Sequence, residues 1–428
     1  MVLRVCVIGC GAAGLGALRH LSARPETFQG VGFEMAAEVG GTWRYTDNVG
    51  TDKNGLPIHT SMYKNLRTNI PKEVMGFPGY PLPSHLPSFC DHKDVLQYLE
   101  EYADHFDLRK LIKFNTKVES VTPLSSHSKT AWRVDYSFVN SSTNTETGSS
   151  VFDAVIVCNG HYSVPLVPEL EGMNEFRGTI IHSHDYRDPE KFQNKVVVCL
   201  GGAASGQDIC LDIAPVAKKI IISHDRPRIA SPLPVNVFQQ VGIARLTPNS
   251  VIYKNGTEEE ADVLLLCTGY RYSFPFLTEE CQLKISGERI TPLYKHIIHT
   301  KFYTLSFIGM CKIICPFPQF DNQVKFVLSS LDGTQKLPST EDMDHDTESD
   351  YQKRLSEGLP HRYAHFMGPR QWEYNDELAR LAGFEPIPKA IQMLYNEVHR
   401  TRVQDLSNYK TKQYRITGEA TYEILDTE

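Results

Sequence analysis

Val5-Cys6-Val7-Ile8-Gly9-Cys10-Gly11-Ala12-Ala13-Gly14 is the stretch on which the fold turns. Four β-forming residues run into three glycines spaced G-x-G-x-x-G, and the Ala- and Leu-rich segment Ala12 to Ala23 predicts a helix. Strand, glycine turn and helix in that order make a pyrophosphate cradle. Gly9 allows the tight turn, Gly11 lets a ligand approach the backbone, and Gly14 lets helix and strand pack closely. The N–H groups of Ala12, Ala13 and Gly14, with the partial positive charge of the helix start, would face the phosphates. A second β-forming run, Val31 to Phe33, ends in Glu34, about 20 residues beyond Gly14, where a carboxylate takes the ribose hydroxyls of a dinucleotide.

Just downstream, Glu38-Val39-Gly40-Gly41-Thr42-Trp43 places two glycines and an aromatic side chain after that acid. Gly40 and Gly41 let backbone pass close to a flat ring, and Trp43 can cover it. A glycine turn followed by a core tryptophan is the plainer alternative.

The arrangement recurs about 190 residues later. Lys195-Val196-Val197-Val198-Cys199-Leu200 predicts a strand, Gly201-Gly202-Ala203-Ala204-Ser205-Gly206 the turn, and Gln207-Asp208-Ile209 the continuing helix. Ala203 replaces the middle glycine, so a methyl group stands where a pyrophosphate would approach. The next strand, Lys219 to Ser223, is followed by His224 and Asp225 with Arg226 and Arg228 beside them. A hydroxyl with guanidinium groups suits a 2′-phosphate, because Arg grips phosphate through two N–H groups at once. Ser223, Arg226 and Arg228 are therefore candidates for holding NADP(H); an exposed basic turn is the alternative. Two further runs, Asp153 to His161 and Asp262 to Tyr270, end alike in small-residue turns, where the chain would pass between two units of similar plan.

With 428 residues the chain has room for two cores. Its net charge of −7 and lack of a basic run give no support to nucleic acid or membrane-surface partners. No stretch approaches the roughly 18 to 20 apolar residues of a membrane span, so no membrane anchor is expected. Met1 runs directly into the predicted strand, which speaks against a signal peptide. The ten cysteines are scattered, several in apolar runs, and fit buried thiols in a reducing, cytoplasmic compartment. A leader removed beforehand would instead mean secretion. No metal-binding set and no Ser/His/Asp arrangement is found.

Between the loops lies Phe176-Arg177-Gly178-Thr179-Ile180-Ile181-His182-Ser183-His184-Asp185-Tyr186, the pattern F-x-G-x-x-x-H-x-x-x-Y. It resembles the fingerprint of flavin-containing monooxygenases. Asn65 to Met75, Phe77-Pro78, Cys267 to Tyr270 and Tyr294 to His296 are also similar to that family, and the likeness runs from Val5 to about Leu337. It is nearest in character to short insect- or fungus-like members. The pair Tyr186-Arg187 disfavours a Baeyer–Villiger monooxygenase, where Trp-Pro is usual, and no redox cysteine pair points to a disulfide oxidoreductase. A non-catalytic flavoprotein binding module is the alternative of a different class.

The resemblance implies an α/β fold with two Rossmann-like domains, the second inserted into the first. Residues 1–165 and 286–428 would form the FAD domain and its C-terminal helices, and 166–285 the NADP domain. It implies a monooxygenase that uses NADPH and O2 to oxygenate nitrogen or sulfur in a small amine or sulfide through a flavin C(4a)-hydroperoxide. Pyrrolizidine or other tertiary-amine alkaloids, in detoxification, are one such substrate. The cofactors carry the difficult chemistry, while the protein orients and excludes water.

Asn69 is the implied catalytic residue, an amide able to donate and accept beside flavin and nicotinamide. By the same resemblance Gly9, Gly11, Ala12, Ala13, Gly14, Glu34, Gly41, Thr42, Trp43, Thr68, Ile70 and Val118 belong with FAD. Gly201, Ala204, Ser205, Gly206, Gln207, Asp208, Ser223 and Arg226 belong with NADP(H), and Gln323 with the cofactors generally. Ala203 and Ala204 depart from the family pattern in the second loop. His182 and Tyr186 would shape the domain junction. Pro316 to Gln323 would form a pocket wall or a Pro-bounded loop, and Ser339 to Asp350 a solvated loop. Tyr363 to Val398 would be helical, closing the structure or making a homo-oligomer contact.

Overall fold

The computed structural model describes residues 2–139 and 146–425. Strand β1 (Leu3–Ile8), helix α1 (Ala12–Ser22) and β2 (Phe28–Phe33) realise the first predicted unit. After α2 (Lys72–Met75), α3 (His92–His105) and β3 (Ile112–Lys113) comes an antiparallel sheet of β4 (Thr116–Pro123), β5 (Trp132–Phe138) and β6 (Thr147–Phe152). Strand β7 (Ala154–Val157) re-enters beside β1. Short β8 (Val164–Pro165) leads to β9 (Thr179–His182), β10 (Val196–Leu200), α4 (Ala204–Ile213), β11 (Lys219–Ser223) and β12 (Val237–Gln240). A small sheet of β13 (Ile243–Leu246), β14 (Ser250–Tyr253) and β15 (Glu258–Glu260) precedes β16 (Val263–Leu266) and β17 (Tyr270–Arg271). The hairpin β18 (Lys284–Ser286) and β19 (Arg289–Thr291) is followed by β20 (Leu293–Tyr294), β21 (Ile298–His299) and β22 (Leu305–Phe307). Helices α5 (Pro316–Leu331), α6 (Thr340–Ser356), α7 (Gln371–Ala382) and α8 (Lys389–Gln404) and the hairpin β23 (Gln413–Gly418) and β24 (Thr421–Leu425) complete it.

Two sheets organise these elements. The first runs β20-β21-β22-β7-β1-β2-β3, and the second β12-β11-β10-β16-β9. The second sheet is parallel throughout, as are β22, β7, β1, β2 and β3 of the first. Parallel strands covered on both faces need apolar residues at every position, and Val5, Cys6, Val7 and Val197, Val198, Cys199 are each without exposed surface. One face of the first sheet packs on α1, α3 and α5, the other on Val118, Val121, Trp132 and Val134 of the antiparallel sheet. The chain leaves the first sheet along β8 and returns along β17, and these two strands pair antiparallel. Ligands bind outside the carboxyl ends of such strands. Those ends carry Gly9 and Gly160 in one sheet and Gly201 and Gly269 in the other.

All ten cysteines are buried and unpaired, as expected of thiols that pack as small hydrophobes. Two local expectations are corrected. Ser339 to Asp350 is no loop: Ser339 caps α6 by accepting from Asp342 N at 3.1 Å, and Glu341 and Asp342 sit where the helix start favours acids. Its later acids find partners, Asp346 with Lys295 at 2.8 Å and Asp350 with Arg354 at 2.6 Å. Pro316 to Gln323 forms the first turns of α5, where proline is well placed because the first N–H groups have no helical partner.

Candidate active site

Both glycine loops have the same backbone plan. Gly9 and Gly201 sit at φ +92° and +124°, a region that only glycine enters at little cost. A Cβ on Gly14 would lie 1.9 Å from Gly9 O, and one on Gly206 1.9 Å from Gly201 O. Helices α1 and α4 begin after Gly11 and Ala203, and neither start is capped by a side chain. Their first N–H groups are thus left for an anion.

Around the first loop the residues fit FAD. Glu34 is buried at the end of β2, with Oε2 accepting from Cys10 N at 2.8 Å and Oε1 from Ala36 N at 2.9 Å. Burial raises its carboxyl above the ordinary value, opposed by those two N–H groups and by Arg44. The two remaining acceptor directions suit ribose hydroxyls. Gly40 and Gly41 have positive φ and bring their backbone against Gly11, so a Cβ on Gly41 would lie 3.0 Å from Gly11 Cα. The buried hydroxyls of Thr42 and Thr68 find no partner among the described residues. Polar atoms orphaned inside a fold cost stability unless a ligand completes them. Trp43 is half-buried against the core beside them. Val118 is buried in the apolar cluster behind Phe33. Asn69 is exposed between the buried residues Thr68 and Ile70.

The second loop fits a dinucleotide whose ribose carries phosphate. Asp225, the acid after β11, is tied to Lys254 at 2.5 Å and to Gly242 N at 3.1 Å. Arg226 and Arg228 are exposed beside it, and Arg226 Nη2 donates to Tyr363 OH at 2.7 Å. Ser223 is corrected: it has no exposed surface and its hydroxyl donates to Val241 O at 2.7 Å, so it is not placed to meet a phosphate. The same holds for Gln323, fully buried on α5, which accepts from Gly309 N at 3.0 Å and donates to Tyr374 OH at 2.9 Å. Neighbouring Gln319, also fully buried, has an amide without a hydrogen-bond partner among the described residues. Gln207 and Asp208 turn toward the C-terminal segment: Arg402 Nη2 donates to Gln207 Oε1 at 2.9 Å, and Lys410 Nζ lies 3.2 Å from Asp208.

The fingerprint lies between the two loops. His182 Nδ1 accepts from His184 N at 3.0 Å, so Nε2 carries the proton that goes to Gly269 O at 3.1 Å. Burial pushes this imidazole down to about 4, keeping it neutral. Tyr186 OH donates to Asp212 on α4 at 2.5 Å, and buried Arg187 donates to the carbonyls of His184, Tyr186 and Asn48. The segment thereby bolts the edge of the second sheet to residues of the first unit. Beside it, Tyr162 is 46% exposed, with its ring 4.3 Å from that of His161 and 5.5 Å from that of Tyr270. His59, pushed down to about 4 by burial and then by His184, is partly exposed nearby, with its Nε2 3.6 Å from where a Gly160 Cβ would stand. Sequence patterns gave no signal for Tyr162, His59 or Arg402. A cavity of about 300 Å³ lies elsewhere, between α6 and α7; its Lys295 and Arg354 are matched by Asp346, Glu377 and Asp350.

Two Rossmann-like halves whose phosphate loops open on one junction define a two-dinucleotide flavoprotein. Comparison with known proteins agrees. The family model of flavin-binding monooxygenase-like proteins matches residues 2–230 and 229–424. A flavin-containing monooxygenase of Arabidopsis thaliana, GS-OX-like 2, is 37% identical over 435 residues, covering 95% of this chain and 90% of its own. The S-allyl-L-cysteine S-oxygenase of Allium sativum superposes with a TM-score of 0.88 at 33% identity, over 96% of each chain. Tmm from Pelagibacter sp. strain HTCC7211 gives 0.86 at 30% identity, over 99% of this chain and 96% of that one. The chain belongs to the flavin-containing monooxygenase family, and its cofactors are FAD and NADP(H). No helix among the described residues is long and apolar enough to cross a membrane.

Proposed function

We propose that this monooxygenase transfers one oxygen atom to a soft nucleophile, with the sulfur of a small thioether as its preferred acceptor. The balance is thioether + O2 + NADPH + H⁺ giving sulfoxide + water + NADP⁺. What carries the reading is the pair of matching phosphate loops, with the Thr42 and Thr68 hydroxyls left without a partner among the described residues beside the first. Tyr162 and His59 lie beside Gly160 at the carboxyl end of β7, and the amide of Asn69 is exposed and free to bond a ligand. The similarity to an S-allyl-L-cysteine S-oxygenase supports sulfur as the acceptor. The imidazoles of His59 and His182, both pushed down to about 4, are neutral at pH 7 and present no charge to an uncharged thioether.

In this reading Gly9 to Gly14, Glu34, Gly41 to Trp43, Thr68 and Ile70 hold FAD, and Gly201 to Gly206 with Arg226 and Arg228 hold NADPH. When bound and reduced, flavin activates dioxygen. The chain's own part is to fix the two dinucleotides, present the Asn69 amide at their meeting point and exclude water. Residues 1–165 with 286–428 form the FAD domain and 166–285 the NADP domain, a division supported by the strand membership of the two sheets.

The test is NADPH oxidation by FAD-loaded protein with a dialkyl sulfide, a tertiary-amine alkaloid or a cyclic ketone, with products identified by mass. Sulfoxide formed one-to-one with NADPH is expected. Faster N-oxide formation would shift the reading to alkaloid N-oxygenation. Lactone as the main product, or peroxide without any oxygenated product, would end it.

A further inference from the structure

The C-terminal segment reaches back to the coenzyme loop. At the last turn of α8, Arg402 Nη2 donates to Gln207 Oε1 at 2.9 Å. The Nε2 of the same amide donates to Gly202 O at 3.0 Å, within the loop itself. An amide held at its oxygen by a guanidinium has its N–H₂ group fixed in direction, so Gly202 O is drawn toward Gln207. A carbonyl turned that way leaves the loop's N–H groups, and not its oxygens, to face an anion.

The surroundings are charged. Asp208, one residue on, lies 3.2 Å from Lys410 Nζ and 3.9 Å from Arg402. Arg67 Nη2 donates to Lys410 O at 3.0 Å, and Lys410 Nζ donates to Arg67 O at 3.2 Å. Asp208 thus faces two cations, Lys410 and Arg402, with Arg67 bonded to the Lys410 carbonyl and Asp212 one turn further along α4. Burial and the two guanidinium groups push the Lys410 ammonium down, with Asp208 opposing. Charged groups held this close to a phosphate loop fix its backbone and tie the C-terminal segment to it.

We infer that Arg402 is a positioning residue of the coenzyme half, acting through Gln207 to set the Gly202 carbonyl and so the phosphate-facing side of the Gly201–Gly206 loop. The inference rests on that loop being the NADPH site. It makes the segment from Arg402 to Lys410 part of coenzyme binding, although it lies outside the second sheet.

Arg402→Ala in the full-length, FAD-loaded protein is expected to raise KM for NADPH about tenfold, the weight of one charge-assisted hydrogen bond. Flavin content should stay at the wild-type level and kcat at saturating NADPH should change far less than KM. Gln207→Ala should give a similar rise, and the double variant no more than either alone, because both break one chain of bonds. An NADP⁺ titration followed by flavin fluorescence should show the same weakening. The inference fails if KM stays within about twofold of wild type, if flavin and kcat fall together with KM, or if the two effects multiply. Should Arg402→Ala not fold, Gln207→Ala carries the test. Ser205→Glu separates the two readings: a carboxylate on the exposed first turn of α4 must repel the coenzyme. If it leaves NADPH use intact, the loop assignment falls; if it abolishes NADPH use while Arg402→Ala and Gln207→Ala do nothing, only the role of Arg402 falls.

Discussion

The two phosphate loops share a backbone and differ in what completes them. Gly9 and Gly201 make the same left-handed turn, and Gly14 and Gly206 stand against the same carbonyl. At the helix start Gly11 (φ −74°, ψ −164°) and Ala203 (φ −87°, ψ −170°) adopt one extended conformation. Beyond that they diverge. The first loop is backed by local chain: Glu34 bonds to Cys10 N, and Gly41 packs on Gly11. The second is backed from 195 residues away, by Arg402 on Gln207, and its acid Asp225 is turned aside to Lys254. Turn and packing glycines therefore answer to the chain, whereas the middle position and the acid answer to the ligand.

The largest effects test the shared part. Gly14→Ala and Gly206→Ala each force a methyl to 1.9 Å from a backbone oxygen, where neither partner can yield. Each is expected to lower unfolding stability by on the order of 3 kcal/mol, read by thermal melting. They should differ in cofactor: Gly14→Ala loses the flavin absorbance, while Gly206→Ala remains yellow but is not reduced by NADPH. Equal loss of flavin in both would mean that the halves do not fold around separate dinucleotides.

Next comes Asn69, proposed to present its amide to both cofactors. Asn69→Ala is expected to keep FAD bound and to cut oxygenation about a hundredfold, the scale of one lost hydrogen-bond donor at a reacting centre. Oxygenation at the wild-type rate would remove Asn69 from the mechanism. Smaller again is the ribose end of the second loop. Arg226→Ala should raise KM for NADPH about tenfold with little change for NADH, since its guanidinium has a 2′-phosphate to meet only in the former. A matching rise for both coenzymes would assign Arg226 to its contact with Tyr363, which holds it at 2.7 Å.

These same contrasts mark what the sequence disclosed. Glycine spacing, strand runs and Glu34 were legible because turn, strand and acid lie within 40 residues and obey local geometry. The fingerprint from Phe176 to Tyr186 was legible as a pattern, but its work, His182 on Gly269 and Tyr186 on Asp212, joins residues 87 and 26 apart. Ser223 was misread because the end of a strand does not reveal that its hydroxyl is taken by Val241 O. Gln323 was misread because an amide after two prolines suggests a loop, and α5 instead carries it into the core. The acids of Ser339 to Asp350 suggested a solvated loop; they are largely exposed, but on a helix, where Lys295 and Thr300 from distant segments hold Asp346 and Asp344. Arg402 had no pattern at all, since nothing in the local sequence of α8 points to a loop two hundred positions earlier.

The smallest effect bears on the difference at the middle position. Ala203 has an ordinary negative φ, so Ala203→Gly restores the familiar glycine pattern without relieving any backbone strain. It should cost about 0.5 to 1 kcal/mol through the freer unfolded chain and move KM for NADPH by less than about twofold. The mirror change, Gly11→Ala, is likewise allowed by the chain: its φ is negative, and the nearest atom to the new methyl is Gly41 Cα at 3.4 Å, an ordinary contact. Melting of the flavin-free protein should hardly change, yet FAD affinity should fall, because Gly41 and Gly11 would no longer leave room for pyrophosphate between backbone and ligand. If Gly11→Ala binds FAD as tightly as wild type, the middle glycine is dispensable in both loops, and Ala203 ceases to distinguish them.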